Sequence, residues 1–461
     1  MGGAQTSAII QAMKSRLKIL AATLLLALAL CGCQRRPENN SSARVRILEN
    51  AVPGGLNSDL WDWYLERVPE VEKELGIKIE LIPAGIRDED FKARVALDLK
   101  SGRAAEIIGF DQFWVPEFAE AGFLLPLDDF WQNWPDRTQY YDSMKAMGAF
   151  KGKTYLVMRM TDLRMLFYHK PLLAQAGLPV PWQPKNWDEI ISACRLLKQK
   201  FPEVIPLELN AGVEMGEATT MQGFLMLLYG AGGELYDQST GKWVVDSEAF
   251  RQALDFYRKL YVDEKLANAE LVTSPKAREK TFELFSQGKI ALYVEGTWFY
   301  TSVLKPGEAW GIADRDERIG WAKMPGSGAN GAPAFISLSG GNGFVINPKA
   351  ENPALAWKVI EKLNSLNSLE KLFSRQALTP VRKDLARSQV VAKNKFIAES
   401  ALALLPHTRS RPGLSDYPEI SFLLQLMTEE VVTGRLSPNA ALQEYGKSVE
   451  RIVGREKVIR K

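Results

Sequence analysis

The sequence is poor in cysteine and histidine, with three cysteines and two histidines in 461 residues. Such scarcity argues against a zinc site, which needs about four clustered ligands. Two cysteines stand near the N-terminus, at positions 31 and 33, so the body of the chain holds one thiol, Cys194. A single thiol excludes an internal disulfide. Cys194 falls in an apolar helical pattern and is predicted to be a core residue.

The body of the chain also lacks an excess of either charge. The sequence has 58 basic and 55 acidic residues, and its first 32 residues hold three of the basic ones and none of the acidic ones. The remainder is balanced at 55 against 55, which gives no general electrostatic attraction to nucleic acid or anionic lipid. With 46% apolar and 25% charged residues, wholesale disorder is excluded, and the length allows two or three domains.

The N-terminus has the pattern of an export signal. Lys14, Arg16 and Lys18 precede an apolar run over residues 19–30, which is too short to span a bilayer. Translation could start at Met1 or at Met13. The run ends in LCGC (residues 30–33), which resembles a bacterial lipobox. The resemblance implies a lipoprotein signal peptide over residues 1–32, a lipid on Cys33, or alternatively on Cys31, and a flexible polar tether over residues 33–43. A plain secretory signal is the remaining alternative.

Strand and helix patterns alternate along the chain, which predicts an α/β fold. Strands are predicted at residues 45–48, 77–82, 106–110, 166–168, 205–209 and 291–294. Helices are predicted at 57–76, 88–100, 113–121, 187–200, 219–229, 247–261 and 277–287, and the C-terminal third is predicted to be helical at 353–365, 369–373, 396–404, 420–433 and 438–451. Right-handed crossovers favour mostly parallel sheets. No long polar linker divides residues 44–461, so two lobes sharing several crossings are expected.

Ten segments in the body carry a resemblance that no single one of them would establish. They are EIIGFD (106–111), FAEAGFLLPLDD (118–129), GKTY (152–155), LFYHK (166–170), AGL (176–178), NWDE (186–189), GKIAL (288–292), EGTW (295–298), YPEIS (417–421) and GRLSPNAAL (434–442). In this order they resemble the extracellular solute-binding proteins of ABC sugar importers, the family that includes maltose- and trehalose-binding proteins.

The resemblance implies a two-lobed, type II periplasmic-binding-protein fold that holds a sugar between its lobes. The first lobe is expected over residues 44–155 and 321–370, and the second over 156–320 and 371–461. The implied function is a monomeric, membrane-anchored extracytoplasmic receptor that delivers a sugar or oligosaccharide to an ABC permease by hinge closure, without catalysis and without a metal or other cofactor. A secreted glycoside-active enzyme and a ligand-sensing partner of a membrane kinase are the alternatives.

A sugar site needs carboxylate, amide or guanidinium groups for paired hydrogen bonds and an aromatic ring against the sugar's C–H face. Asp111 ends a predicted parallel strand, where ligands of open α/β sheets bind; its alternative role is a helix N-cap. Asp162 precedes another strand and resembles a ligand-contacting acid, with an ion pair to Arg164 as the alternative. Trp298 resembles the family's stacking tryptophan, and its alternative is a place in the core.

The remaining candidates come from one turn, one loop and one strand end. GGNG (340–343) resembles a family "GGW" turn that approaches the sugar through Gly341. Asn342 replaces the tryptophan there, which predicts a ligand that is more polar than a maltose-like one or differently shaped. Arg411 resembles an arginine that clamps ligand oxygens, with a solvated loop as the alternative. Glu49 ends the first strand beside Asn50 and is also a candidate.

Further candidates are weaker or are set aside. Trp114, Tyr155 and Gln222 are secondary ligand-contact candidates. GSGANG (326–331) matches GxGxxG, but a strand rather than a helix is predicted after it, so no dinucleotide site is expected. His169 and His407 lie far apart, without the spacing of metal ligands.

Overall fold

The computed structural model describes residues 43–55 and 57–461. The predicted signal peptide, both candidate lipidated cysteines and all of the predicted tether except Ala43 lie outside the described residues. Within them, Val45–Leu75 and Ile79–Lys461 form one compact unit.

Strands and helices alternate through this unit. In chain order the strands β1 to β17 are Arg44–Glu49, Lys78–Pro83, Ile107–Asp111, Ala149–Phe150, Lys153–Thr154, Val157–Thr161, Arg164–His169, Ile205–Glu208, Tyr236–Asp237, Lys242–Asp246, Ile290–Gly296, Ile319–Ala322, Met324–Pro325, Phe335–Leu338, Gly341–Ile346, Thr408–Arg409 and Val458–Arg460. All six predicted strands are confirmed, to within a few residues at their ends.

The predicted helices are confirmed as well, and shorter ones lie between them. The α-helices are Ser58–Leu75, Asp88–Ser101, Val115–Glu120, Asp128–Asn133, Asp142–Met147, Lys170–Gln175, Trp187–Lys200, Leu225–Gly230, Glu248–Arg258, Ala269–Val272, Ala277–Ser286, Arg315–Arg318, Pro353–Leu363, Leu366–Arg375, Lys383–Ala386, Gln389–Lys393, Lys395–Leu404, Tyr417–Val432 and Pro438–Val453. Three π-helical turns lie at Thr219–Phe224, Lys259–Asp263 and Phe299–Val303.

The helix Trp187–Lys200 shows how local sequence sets these elements. Asn186 caps it by accepting a 3.0 Å hydrogen bond from the backbone nitrogen of Glu189, which satisfies a donor that a helix start leaves open. Acidic residues occupy its first turn and lysines its last, as the helix dipole favours. Its apolar face buries Cys194, which is fully buried in a large apolar cluster, so the predicted core position is confirmed.

The first sheet has the strand order β2-β1-β3-β15-β6. β1 and β3 run parallel, whereas β15 is antiparallel to both β3 and β6. The second sheet has the order β12-β7-β11-β8. Only β8 is parallel to its neighbour β11, while β7 is antiparallel to β11 and β12. The sheets are therefore mixed rather than mostly parallel. Strands near the crossings run antiparallel to their neighbours, because no helical crossover connects them.

The chain passes between the two sheets over very short segments. β6 ends at Thr161 in the first sheet and β7 begins at Arg164 in the second. On the return, β14, which pairs with β13 and β16, ends at Leu338, and β15 begins at Gly341 in the first sheet. These partnerships place β6 with the first sheet, although it lies beyond the predicted boundary at residue 155. The division into lobe segments stays a prediction.

Candidate functional site

Hydrogen bonds tie the two crossings together at the edge of the sheets. The hydroxyl of Thr161 donates to the carbonyl of Gly340 over 2.7 Å, and the nitrogen of Gly340 donates to Asp162 Oδ1 over 2.8 Å. The guanidinium of Arg164 also donates to Asp162 Oδ1. Asp162 lies between β6 and β7 and makes the ion pair with Arg164 that was its alternative role. Its contact with a ligand stays a prediction.

Asp111 stands beside this crossing, at the end of β3. Its Oδ1 accepts a 3.3 Å hydrogen bond from the nitrogen of Phe113 and a 3.4 Å one from Arg411 Nη2. The first of these is the N-cap contact that was its alternative role. About a third of the side chain, 35%, remains exposed. Desolvation by the surrounding protein raises the pKa of Asp111 to about 7, and the charge of Arg411 opposes that rise.

Arg411 forms an ion pair with Asp111 and is almost completely buried. Its side chain is 3% exposed, and its guanidinium carbon lies 4.0 Å from the centre of the Phe113 ring, a cation–π arrangement. Nη1 donates to Glu217 Oε1 over 3.1 Å. The predicted alternative of a solvated loop side chain is wrong, because this arginine joins two carboxylates inside the protein. Its contact with a ligand stays a prediction.

The turn that resembles "GGW" forms the start of β15. Gly341 has a φ of +139°, and a Cβ added there would lie 2.3 Å from the carbonyl oxygen of Met160, so only glycine fits. Asn342 pairs across the sheet with Asp111. Its Oδ1 accepts a 2.9 Å hydrogen bond from Arg159 Nη2. Among the described residues its amide nitrogen donates to no partner, so both its hydrogens remain for a ligand.

Glu49 belongs to a buried network within the first sheet. Its Oε2 accepts hydrogen bonds from Arg159 Nη1 over 2.9 Å and from the Tyr64 hydroxyl over 2.7 Å. Arg159 is fully buried and Glu49 is 5% exposed. A Cβ at Gly109 would lie 2.3 Å from the Glu49 carboxylate, which explains the glycine of the EIIGFD segment. The proposed ligand contact of Glu49 stays a prediction.

A second acid, Asp88, lies near enough to Asp111 for its charge to act on that carboxyl. Asp88 begins the helix Asp88–Ser101 and is exposed to solvent, and its Oδ1 accepts a 3.3 Å hydrogen bond from the side chain of Asn50. The surrounding protein raises the pKa of Asp88 through desolvation, and the charge of Arg278 opposes the rise. Arg278 belongs to the helix Ala277–Ser286, which precedes β11 of the second sheet.

Trp298 follows β11 and presents a half-buried indole. The guanidinium carbon of Arg278 lies 4.8 Å from the centre of its ring, and the Phe282 ring packs edge-on at 5.9 Å. Gly296, two residues earlier, pairs across the sheet with Arg164, which brings the indole close to the crossing. Trp298 therefore combines partial core packing with a place at the same edge as Asp162.

Arg278 is held from behind by Glu295, a fully buried residue of β11. Nη2 of Arg278 lies 2.9 Å from Glu295 Oε1, and Gln222 Nε2 donates to Glu295 Oε2 over 3.1 Å. Of the secondary candidates, Gln222 is thus buried behind Arg278. Trp114 is 4% exposed and Tyr155 is 9% exposed.

The structure supplies no metal-ligand cluster over residues 43–55 and 57–461. His169 is buried, and its Nε2 lies 2.7 Å from the carbonyl oxygen of Phe285. Burial lowers the pKa of His169 to about 4. Residues 326–331 lie in the loop between β13 and β14, without the helix that a dinucleotide site requires. Across the described part of the chain, every helix is too short or too polar to cross a membrane.

The structure thus brings Asp111, Asp162, Gly341, Asn342 and Arg411 together at the crossings, with Trp298 close by, and keeps Glu49 inside the first sheet. Three further residues near this site, Glu217, Asp88 and Arg278, are not indicated by any motif in the sequence. Asp88 has one usable signal, because it begins the helix that follows β2. Glu217 and Arg278 reach the site through distant packing and have no comparable local pattern.

Comparison with known proteins gives one consistent answer. The family model described as bacterial extracellular solute-binding protein matches residues 58–365. A binding protein of Brucella abortus is 22% identical over 360 residues, covering 78% of this chain and 82% of that protein. The diacetylchitobiose-binding protein DasA of Streptomyces coelicolor is 22% identical over 293 residues, covering 63% of each chain.

A solved structure with the same architecture supports the family match. It is a solute-binding protein of an ABC transporter from Thermotoga lettingae, bound with α-D-tagatose. It is 25% identical, with a TM-score of 0.76, over 90% of this chain and all of that one. The expected two-lobed, type II fold is therefore confirmed. The chain belongs to the bacterial extracellular solute-binding protein family.

Proposed function

We propose that the protein is a membrane-anchored extracytoplasmic receptor that captures a sugar or oligosaccharide and delivers it to an ABC permease. The observation that carries this proposal is the position of Asp111. It is a partly exposed carboxylate at a strand end, backed by a buried guanidinium and adjoining the crossings between the sheets. Carboxylates in such clefts can accept hydrogen bonds from sugar hydroxyls.

Each side chain at the cleft suits a different part of a sugar. Asp111 and Asp162 accept from hydroxyls, and the free amide hydrogens of Asn342 donate to ring or hydroxyl oxygens. Trp298 offers an indole face for the C–H surface, and Gly341 lets backbone approach the ligand. Because one amide stands where the family turn has a tryptophan, we propose a ligand that is more polar or smaller than a maltose-like chain.

Hinge closure is the proposed mechanism. We assign residues 45–161 and 341–381 to the first lobe and 164–338 and 408–461 to the second, following the sheet partnerships. Arg411 on Asp111 joins groups from the two lobes, and so does Lys305 Nζ, which lies 2.8 Å from both carboxylate oxygens of Asp59. A ligand that touches both lobes only when they close shifts the population towards the closed form.

A thermal-shift and calorimetric screen tests the ligand class. The relatives named for diacetylchitobiose and bound to tagatose motivate four probes: D-tagatose, D-glucose, maltose and N,N′-diacetylchitobiose. A saccharide at 100 times its Kd should stabilise the protein by about 2.7 kcal/mol. Stabilisation by a peptide or a polyamine, with none from a broad saccharide panel, would overturn the proposal.

The receptor is proposed to bind without chemistry. Asp162 is paired with Arg164, and Asp111 with Arg411. The two acids are thus already engaged by cations rather than poised as an acid and a nucleophile. Incubation with the same saccharides should return them unchanged, and release of shorter products would favour the glycoside-active alternative.

We also propose that a lipid on Cys33, or alternatively on Cys31, anchors the protein outside the cytoplasmic membrane. Two or more acyl chains hold a protein firmly at a bilayer. Full-length protein expressed in a bacterium should fractionate with membranes and carry an acylated N-terminal cysteine by mass spectrometry. Cys33→Ala should release it, while the matched variant Cys31→Ala should stay bound. The reverse result would reassign the anchor, and release of neither would refute it.

A further inference from the structure

Glu217, a carboxylate outside the predicted set, makes three charge-assisted contacts behind Arg411. Its Oε1 accepts from Arg411 Nη1 over 3.1 Å and from the Tyr417 hydroxyl over 2.5 Å. Its Oε2 accepts from the Ser421 hydroxyl over 2.6 Å. Tyr417 and Ser421 both belong to the helix Tyr417–Val432, so this carboxylate is fixed to a rigid element of the second lobe.

The other edge of the Arg411 guanidinium faces the first lobe. Nη2 lies 3.4 Å from Asp111 Oδ1, and the central carbon lies 4.0 Å from the centre of the Phe113 ring. Nε is buried and, among the described residues, has no hydrogen-bond partner. Nε therefore makes no hydrogen bond within the described part of the chain that would help to fix this side chain. The bond to Glu217 is therefore the strongest fixed contact of this guanidinium within its own lobe.

We propose that Glu217 is a positioning residue, which orients the guanidinium of Arg411 so that it stays against Asp111. A guanidinium is planar, so fixing Nη1 through a carboxylate also fixes the direction of Nη2. Asp111 is the exposed member of the chain Glu217–Arg411–Asp111. The orientation of the Asp111 carboxylate towards a ligand then depends on Glu217, which itself touches no ligand. The effect on ligand affinity rests on the proposed function, whereas the orientation of Arg411 does not.

The Nε–H signal of Arg411 in ¹⁵N-arginine-labelled protein tests the orientation directly. Arg411→Lys assigns the signal by deleting it. Glu217→Ala should speed its exchange with solvent at least tenfold, and Glu217→Asp should keep most of the protection. The matched control Glu214→Ala removes an exposed acid of the same loop and should leave the exchange unchanged. Equal exchange in wild type and Glu217→Ala would overturn the proposal.

Two further measurements keep the proposal testable. If Glu217→Ala does not fold, Tyr417→Phe removes one of the hydroxyls that hold the carboxylate and should speed the exchange about threefold; unchanged exchange there would overturn the proposal. For whichever of the four saccharides binds, Glu217→Ala should weaken affinity about tenfold and Glu217→Asp should restore most of it. If the saccharides fail to bind wild type, the proposed ligand class fails, while the exchange measurement still decides the role of Glu217.

Discussion

Two arginine–carboxylate networks border the first sheet, and they differ mainly in their access to solvent. In the first, Arg159 joins Glu49, Tyr64 and Asn342, and both members of the ion pair are nearly inaccessible. In the second, Arg411 is equally buried, but its partner Asp111 keeps about a third of its side chain in the cleft.

The contrast separates a closed ion pair from one of the same chemistry that keeps an exposed carboxylate. A closed network has all its acceptors filled by protein, so it fixes strands and turns. A network that ends in an exposed carboxylate has acceptor capacity left for a ligand hydroxyl. The two acids look alike in the sequence, because both stand at the end of a strand, and only the packing around them distinguishes their roles.

The largest effect is expected from breaking the closed network. Arg159→Met keeps much of the side-chain volume but leaves the buried carboxylate of Glu49 without its cation, which should cost about 3–5 kcal/mol of unfolding free energy. Urea denaturation monitored by tryptophan fluorescence measures the loss. The matched variant Arg195→Met removes an exposed ion pair with Glu264 and should cost under about 1 kcal/mol. Equal losses in the two variants would contradict the contrast.

The next effect concerns the open network and falls on affinity. Asp111→Asn keeps the shape of the side chain but removes its charge, and hydrogen bonds to charged groups contribute about 1.5–3 kcal/mol. The Kd for a bound saccharide should therefore rise about 10- to 100-fold in calorimetric titrations, with little change in unfolding free energy. An unchanged Kd would remove Asp111 from the site.

The pKa of Asp111 predicts a pH dependence of binding. Its pKa in the free protein, about 7, lies above its ordinary value of 3.8. Its contribution to stability is therefore present at low pH and lost as the pH rises through about 7. A sugar that needs the ionised acceptor should bind up to about tenfold more tightly at pH 8 than at pH 6.

The comparison with Asp111→Asn isolates this effect, because other groups also face the carboxyl, namely Arg411, Asp88 and Asp162. The variant should show a flat affinity between pH 6 and 8, although it binds more weakly throughout. A pH dependence that persists unchanged in Asp111→Asn would assign the titration to another of these groups.

A smaller effect is expected from the aromatic face. Trp298→Ala should weaken saccharide binding by about 0.5–1.5 kcal/mol, roughly 3- to 10-fold, through lost stacking. It should also lower stability, because the indole packs against Phe282 and under Arg278. Trp298→Phe keeps a ring and should recover most of both losses. Lower stability with unchanged Kd would make this tryptophan part of the core alone.

The smallest effect belongs to the ion pair between Lys305 and Asp59. Both side chains are partly exposed, and such pairs contribute about 0.2–1 kcal/mol. Lys305→Ala should therefore shift the open–closed balance towards the open form by no more than about fivefold, and raise Kd by the same factor or less. The shift should shrink at high salt, because salt screens exposed charges. A salt-independent loss of affinity would contradict an electrostatic role.

The sequence predicts the repeating elements well because their signals are local. Helix Trp187–Lys200 follows from its cap, its end charges and its apolar period. The sequence does not predict β6, because its residues VMRMT do not alternate between apolar and polar. Its Arg159 is buried in an ion pair with Glu49, which is far away in the sequence. The antiparallel pairs of β7 and β15 are not predicted, because the order of strands and helices along the chain suggests parallel pairing. Short connections between the sheets allow a strand to run in the opposite direction to its neighbour.

The candidate site likewise contains residues with a local sequence signal and residues that only long-range packing brings to it. Asp111 is detectable from its place at a strand end, whereas Glu217 becomes part of the site only through residue 411, nearly two hundred positions away. In the sequence, Arg278 has the pattern of an ordinary exposed helix residue. In the structure it contacts Glu295 and the ring of Trp298. Contacts between lobes depend on packing that local patterns do not encode.

The most direct test of the account is the distance between the lobes with and without a bound saccharide. In a chain that carries Cys31→Ala and Cys33→Ala, Lys100→Cys with Lys280→Cys places fluorophores on exposed positions of the two proposed lobes, and the native Cys194 is fully buried and protected from labelling. Single-molecule energy transfer should shift to a shorter-distance population as the saccharide saturates the protein, and Asp111→Asn should need about 10- to 100-fold more saccharide. An unchanged distribution at saccharide concentrations that calorimetry shows to be saturating would contradict closure around the ligand.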